Sequence, residues 1–594
     1  MSQCKKCDLL IANDLESSLI SHYNKKLLKR VNHNITENVT KIICPNFNIK
    51  EKSFITYDRL IKYKIFPSIR KNELCFVTLD RVDPKRNNSK NIAPSNTILY
   101  GTTICNQLLD LNILGLKNED IRKLDEKFDI VWPWSVQFNS DRLGNNKRVQ
   151  NFPLMIVYPR EDFEVTYWVK FCKNHFMTPS MRSGGHSYEC FSNGGQLIID
   201  LTHLEIPHRK KCGRNQIFVD TKYRTVDVSP GVRLGPLYGE VAKKGFQIAG
   251  GICPSVCIGG YITGGGVGYF LRKYGYGCDS LLKVDVVLAD GKLITATAKN
   301  RYSDLFKSVK GAGWAGLGVI TRYRLRVYSS TKLVFYSYNF DIADKNVAVK
   351  VISQLQIMSR TAPDNLSSMI GNVIAGLPVL NVNGIYMPKN KTPIPEFKYL
   401  IKNQLFDHIT PIEPIDTIVK LGSWLDLDTF IGFQAPQIPN YKIRSSFVFT
   451  PLNPTNITSI LTYLDTPPVS TTTGGGGTLF SAIQYLIFGG RVNEINPNSS
   501  VMSARAGTVG WIQMAMYYSD SNDVNTAFNY VNGLYEIVTT NGGSLIADPN
   551  VPDLLLTDYL TSYWGSENVS FLEKVKSKYD PTNLFKGPQT IPVQ

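Results

Sequence analysis

The chain has 594 residues, a net charge of +17, and a composition that is 43% hydrophobic and 11% aromatic. That length exceeds what one hydrophobic core organises, so about two or three domains are expected, and the apolar fraction excludes a disordered chain. The charge would admit nucleic acid or another anionic partner, but Lys, Asn and Ile are abundant throughout and no compact basic run occurs, the nearest being His208–Lys211 and Lys85–Lys90; a nucleic-acid partner therefore rests on charge alone and is not favoured.

The eleven cysteines are odd in number and scattered, which argues against a disulfide-built secreted domain. The opening MSQCKKCDLLIANDLESS has no apolar signal core, and no run of about 18 apolar residues follows. Neither a secretory signal nor a membrane span is predicted, which points to the cytoplasm, or to a virion if the chain is virally encoded. The sequons at Asn34 and Asn456 read as chance in an Asn-rich chain. Cys4 and Cys7 form a lone CxxC with no second pair at zinc-site spacing, so no metal site is assigned.

Residues 1–128 form a small basic N-terminal region, with an apolar strand at Leu74–Leu79 and a helical pattern over Leu108–Lys127. The texture then changes. Pro153–Pro159 reads as a buried strand and Glu161–His175 as a helix. MRSGGHSYECF (Met181–Phe191) is a glycine turn, and Gln196–Leu204 a strand. Thr225–Gly245 is strand, turn and helix, and Gly250–Gly275 a long glycine-rich loop. Leu281–Ile294 reads as a hairpin with a type I′-like turn at Asp290-Gly291. Asp304–Val327 is helix, glycine loop and strand. This alternation of short elements predicts an α+β domain. From about residue 330 to 545 strands alternate with longer helices, interrupted by the low-complexity loop Val469–Thr478. The last helix stops at Asp580-Pro581.

Two stretches carry chemistry. In Arg182-Ser-Gly-Gly-His186-Ser-Tyr188 the adjacent Gly184 and Gly185 allow a tight turn with bare N–H groups able to take pyrophosphate oxygens, helped by Arg182, Ser183 and Ser187. Alone, it reads more simply as a turn with a solvated histidine. In the second stretch Gly259, Gly260, Gly264, Gly265, Gly266 and Gly268 permit close approach of a bulky cofactor. It is neither a Rossmann fingerprint nor a Walker loop. Cys253-Pro254 fixes a thiol at its entrance, where phosphate-binding N–H groups would lower its pKa. Alone, Cys253 reads as a structural cysteine.

Together these stretches resemble the berberine bridge enzyme-like oxidases of the vanillyl-alcohol oxidase superfamily. That family's RSGGHSYEG is matched at Arg182–Cys190, and its cysteine-led glycine loop at Cys253–Gly268. Gly311–Thr321 and the closing Tyr563–Glu567 and Lys578–Pro592 add two further landmarks, so the resemblance runs from about residue 129 to the end. It implies a PCMH-type FAD-binding domain over 129–330, a substrate domain with an antiparallel sheet and flanking helices over 331–548, and a C-terminal segment, 549–594, returning to the FAD-binding domain. It implies FAD held covalently twice, as 8α-histidyl at His186 and 6-S-cysteinyl at Cys253. Val256, Thr263, Val319, Ile320 and Asn583 join the glycines, Arg182, Ser183 and Ser187 as cofactor-binding candidates. The reaction implied is hydride transfer from a sugar or other small alcohol to flavin N5, with oxygen as acceptor; a homo-oligomer is left open.

The departures from the family bear on catalysis. Its Tyr-x-Asn-Tyr-x-Asp becomes Asp548-Pro-Asn550-Val551-Pro-Asp553, so the position of the usual catalytic tyrosine holds valine. Two family histidine positions read Tyr261 and Ala504, and Cys190 and Cys257 are extra thiols beside the cofactor motifs. Tyr188, Gln513, Asn550 and Tyr563 are the catalytic candidates, Gln513 as an orienting group because glutamine is a poor base. The rival reading is a flavin-binding structural or surface protein with little turnover.

Overall fold

The computed structural model describes residues 116, 118–133, 135–207, 214–389, 391–409, 411–426, 438–470 and 478–594. Cys4, Cys7, the Leu74–Leu79 strand, the basic runs and the core of the Val469–Thr478 loop lie outside the described residues. Of the Leu108–Lys127 pattern, Asn118–Lys127 is helical.

Two sheets come first in the chain. Ile130–Val131, Met155–Val157, Leu197–Asp200 and Pro179–Arg182 lie side by side in that order, the last three parallel. Parallel pairing requires a crossover, and the helix Asp162–Asn174 supplies it. All three parallel strands are buried end to end, as a parallel sheet covered on both faces demands, save for half-buried Met181. The second sheet, of Leu293–Ala296, Leu281–Val287, Val319–Arg326, Thr225–Val228 and Ile217–Asp220, is antiparallel. Its hairpin differs from the expected type I′: only Gly291, at φ +79°, is left-handed, and the ladder closes through Leu288 N–H to Lys292 O. A type I′ turn needs positive φ at both central residues, and Asp290 does not adopt it.

The third sheet has seven antiparallel strands in the order Asp416–Gly422, Leu333–Asp341, Val379–Tyr386, Ile370–Ile374, Leu479–Ile487, Gly510–Tyr518 and Asn440–Val448. Its strands show the period of two that gives a sheet two distinct faces. In Gly510–Tyr518, Ile512, Met514 and Met516 join the core beneath the helices Lys345–Thr361, Pro454–Leu464 and Val524–Thr540, while Trp511, Ala515 and Tyr517 join the core continuous with the first half of the chain. One face is thus sealed by helices and the other turned toward the glycine-rich segments.

The C-terminal segment returns across the molecule. Lys576, fully buried, pairs with Asp580 and donates to the carbonyls of Gly316 and Phe585, and Ile591 N–H donates to Ala315 O. A buried ion network ties three parts of the chain together: Lys442 bridges Glu189 and Asp553, Arg148 pairs with Glu189, and Arg444 with Asp553 at 2.7 Å. Among the described residues no helix is long and apolar enough to cross a membrane.

Candidate active site

A cavity of about 1220 Å³ lies between the glycine-rich segments and the open face of the seven-stranded sheet. The strand Pro179–Arg182 ends at its wall, and the chain turns there because Gly185 takes a left-handed φ of +67°. That turn presents His186 to the cavity. Cys253 comes to the same place from the loop that precedes the short helix Ile258–Thr263, whose start is held by Gly259 N–H to Pro230 O. Ser255 joins the two: its Oγ lies 3.2 Å from His186 Nε2 and 3.1 Å from Cys253 Sγ. Burial, with Arg233 adding like charge, pushes the His186 imidazole down to about 4, so it is neutral at physiological pH with a nitrogen lone pair available.

Ser183, Gly184, Gly185, Ser187, Val256, Gly259, Gly260, Thr263 and Ile320 line the same cavity, as do Tyr188, Gln513 and Asn550. Gly259 and Gly260 sit in a short helix rather than a loop. A methyl group added to Gly260 would meet no protein atom within 4 Å. The space it would fill is where a bulky cofactor can approach the backbone. The buried Trp314 Nε1, also at the wall, has no hydrogen-bond partner among the described residues.

Other expected residues do not line the cavity. Arg182 is buried and spent on Asp200 and the Asp141 carbonyl, so its guanidinium is not available for phosphate. Gly264, Gly265, Gly266 and Gly268 are required by packing: a Cβ on them would strike Asn550, Met502, Tyr261 and the Gly250 carbonyl respectively. Val319 is buried in the sheet, and Asn583 sits in the C-terminal turn at φ +50°. The Tyr563 hydroxyl accepts from Asp553 N–H and donates to Gln589 Oε1, both at 2.8 Å, so it braces the C-terminal segment. The departing residues also pack. Tyr261 donates to the Ala249 and Gly266 carbonyls, Cys257 to Gly231 O, and Cys190 to Asn146 O.

The sheet contributes residues that the sequence motifs did not mark. Strand register places Ser445, Gln513, Gln484, Asn372 and Asn381 in one row across five adjacent strands. Gln484 Nε2 donates to Asn372 Oδ1 at 3.0 Å, and Asn372 to Asn381 Oδ1 at 3.3 Å. Asn383, one step along, donates to Asn381 Oδ1, and its own Oδ1 is buried without a partner among the described residues. The aromatic residues Tyr441, Tyr517, Trp424 and Trp511 line the same cavity. The signal in the sequence was the alternation of amides with aliphatic residues in Val379–Tyr386, VLNVNGIY. Asp548, just before the C-terminal segment, and Val551, within it, close the cavity.

Comparison with known proteins agrees with this architecture. Residues 153–297 match the model of the FAD binding domain, and residues 549–592 that of the berberine and berberine like family. The chain is 27% identical over 475 residues to a chitooligosaccharide oxidase of Gibberella zeae, covering 77% of this chain and 91% of that protein. It is 26% identical over 477 residues to a carbohydrate oxidase of Microdochium nivale, covering 77% and 92%. Among solved structures, the BBE-like 1 protein of Physcomitrella patens superposes with a TM-score of 0.68 at 26% identity, covering 79% of this chain and 97% of that one. The glycine-lined cavity, the FAD-domain match and the C-terminal match together mark the chain as an FAD-linked oxidoreductase similar to the berberine bridge enzyme-like oxidases.

Proposed function

We propose that the protein oxidises a hydroxyl of a carbohydrate, with FAD attached at both His186 and Cys253 and dioxygen as final acceptor. The observation that carries the substrate class is the row Gln513–Gln484–Asn372–Asn381, a band of uncharged hydrogen-bonding groups in a cavity also lined by aromatic rings. Amides both donate and accept, as sugar hydroxyls do, and aromatic faces suit the apolar faces of pyranose rings. The charged side chains that line the cavity among the described residues, Lys147, Lys586 and Asp548, lie off the sheet strands, so the row itself is uncharged. The names of the two oxidases above point the same way.

Bound FAD supplies a two-electron acceptor. The chain supplies the rest. Neutral His186 and the Cys253 thiol stand at one wall, joined through Ser255, where two bonds to one flavin ring system can form. The working division is a cofactor domain over 129–330, a substrate domain over 331–548 and a returning segment over 549–594. A second reading, a flavin-holding scaffold without turnover, draws on Val551, since a valine at the cavity wall cannot take a proton. Anaerobic mixing of the purified protein with a panel of mono- and oligosaccharides decides between them. Bleaching of the flavin absorbance by a sugar supports the oxidase; bound flavin that no sugar reduces supports the scaffold.

A further inference from the structure

We propose that Asp548 is the proton acceptor of the oxidation, placed at the end of the amide row and facing the cavity at the wall where Val551 stands in place of a phenol. This rests on the carbohydrate-oxidase reading and adds to it the group that performs the acid–base step.

Three observations of placement support it. Asp548 lines the cavity although only 1% of its surface is exposed. Its backbone N–H donates to Ser445 Oγ at 3.0 Å, and Ser445 is the end residue of the row, so a sugar laid along Asn381, Asn372, Gln484 and Gln513 is led to Asp548. Its Oδ1 accepts from Asn550 N–H at 2.8 Å, which fixes the carboxyl group, while Oδ2 has no hydrogen-bond partner among the described residues. Asn550 is in turn anchored on the glycine-rich segment through Tyr261 O at 3.0 Å. The carboxyl is therefore held, not mobile, with one oxygen left for a ligand.

The surroundings suit a base that works near neutrality. Burial pushes Asp548 up to about 7, and the Asn550 N–H only partly offsets this. The titratable groups that sense its charge are phenols: Tyr188, Tyr261, Tyr276 and Tyr563 are all raised, by burial first and by Asp548 among the lesser causes. The cations of neighbouring elements are taken: Lys442 and Arg444, on the strand of Ser445, by Glu189 and Asp553, and Arg505, over Tyr276, by Asp279. Nothing in this set neutralises an ionised Asp548 when no substrate is present.

The substrate C–H bond breaks with both electrons passing as hydride to the flavin. The O–H bond of the same carbon breaks, its proton passing to the Asp548 carboxylate, and a carbonyl forms. Dioxygen would then take the hydride's electron pair together with its proton, and the proton held on Asp548 would complete hydrogen peroxide and restore the carboxylate.

The test uses the holoenzyme as wild type and as Asp548→Asn, with two readouts. One is the anaerobic rate of flavin reduction by an oligosaccharide as a function of pH. The other, without substrate, is the infrared carboxyl band in a pH titration, taken as wild type minus variant. The wild-type rate is expected to rise through pH about 7, and the protonated-carboxyl band to vanish over the same range. Asp548→Asn is expected to lower the rate by about 100-fold or more and to lose both features while retaining flavin. A variant that keeps the wild-type rate and profile overturns the proposal and leaves the oxidase reading standing, as does a difference spectrum with no carboxyl ionising near neutrality. Wild type that no carbohydrate reduces overturns both. If Asp548→Asn does not fold, Asp548→Glu decides: a displaced but persistent pH dependence supports the proposal, and a flat profile overturns it.

Discussion

His186 Nε2 and Cys253 Sγ both lie within about 3.2 Å of one hydroxyl, that of Ser255, although the two residues belong to different segments of the chain. Two nucleophilic groups at one wall of a glycine-lined cavity are what a doubly attached flavin requires. The wall formed by the sheet carries the amide row, so the proposed attachment residues and the proposed substrate-binding row share a single space.

The amide row should govern substrate affinity more than the chemical step. Asn381→Ala or Gln484→Ala removes about one net hydrogen bond to a sugar, worth roughly 1 kcal/mol. Steady-state kinetics should show KM rising about fivefold for each, with the limiting rate of flavin reduction changed much less. An equal loss in the limiting rate would mean that the row acts on the reacting carbon.

The network around Lys442 is structural. Lys442→Met leaves Glu189 and Asp553 buried with one cation fewer, and breaking a buried pair from one side costs about 3–5 kcal/mol. Chemical denaturation should report a loss of that order. Because the network joins the His186 turn, the sheet and the C-terminal segment, proteolysis within residues 549–594 should accelerate in parallel.

Asp548 also makes stability depend on pH. Its folded-state pKa lies above the ordinary carboxylate value, so between about 4 and 7 the folded protein holds a proton that the unfolded chain has lost. That contribution is complete below the unfolded value and is lost as pH rises through 7. Asp548→Asn cannot lose it. The variant should therefore gain stability over wild type above pH 7, by a few kcal/mol at most, since each pH unit of displacement is worth about 1.4 kcal/mol. Melting temperatures of both proteins at acidic and alkaline pH check the sign.

Two glycines should fail in different ways. Gly260→Val projects into open cavity space, so the fold should persist while flavin incorporation falls. Gly264→Ala places a Cβ 2.0 Å from Asn550 Oδ1, so it should displace the C-terminal segment and lower stability as well. Flavin content against melting temperature separates the two outcomes.

These contrasts show what the sequence could reveal. The His186 and Cys253 motifs are contiguous, and their glycines announce close backbone approach, so both attachment candidates were readable. Arg182 was misleading because its partner, Asp200, stands on the next parallel strand and the buried pair exists only in the fold. Gly264–Gly268 looked like a cofactor loop, but their need for glycine comes from Asn550, Met502 and Tyr261 packed against them. The amide row was illegible for a different reason. Its members lie on five strands between Asn372 and Gln513, and only antiparallel register brings them onto one line. Asp548 stood inside a recognised motif, yet its burial, which makes it a base, is a property of the folded cavity.

The central claim is that one flavin is bonded to both His186 and Cys253. Proteolysis of the acid-denatured protein followed by mass analysis of the yellow fragment tests it most directly. The account predicts a single cross-linked species containing the His186 peptide, the Cys253 peptide and one flavin, reduced to one peptide plus flavin in His186→Ala or Cys253→Ala. Release of all flavin as free FAD on denaturation of the wild type would contradict it.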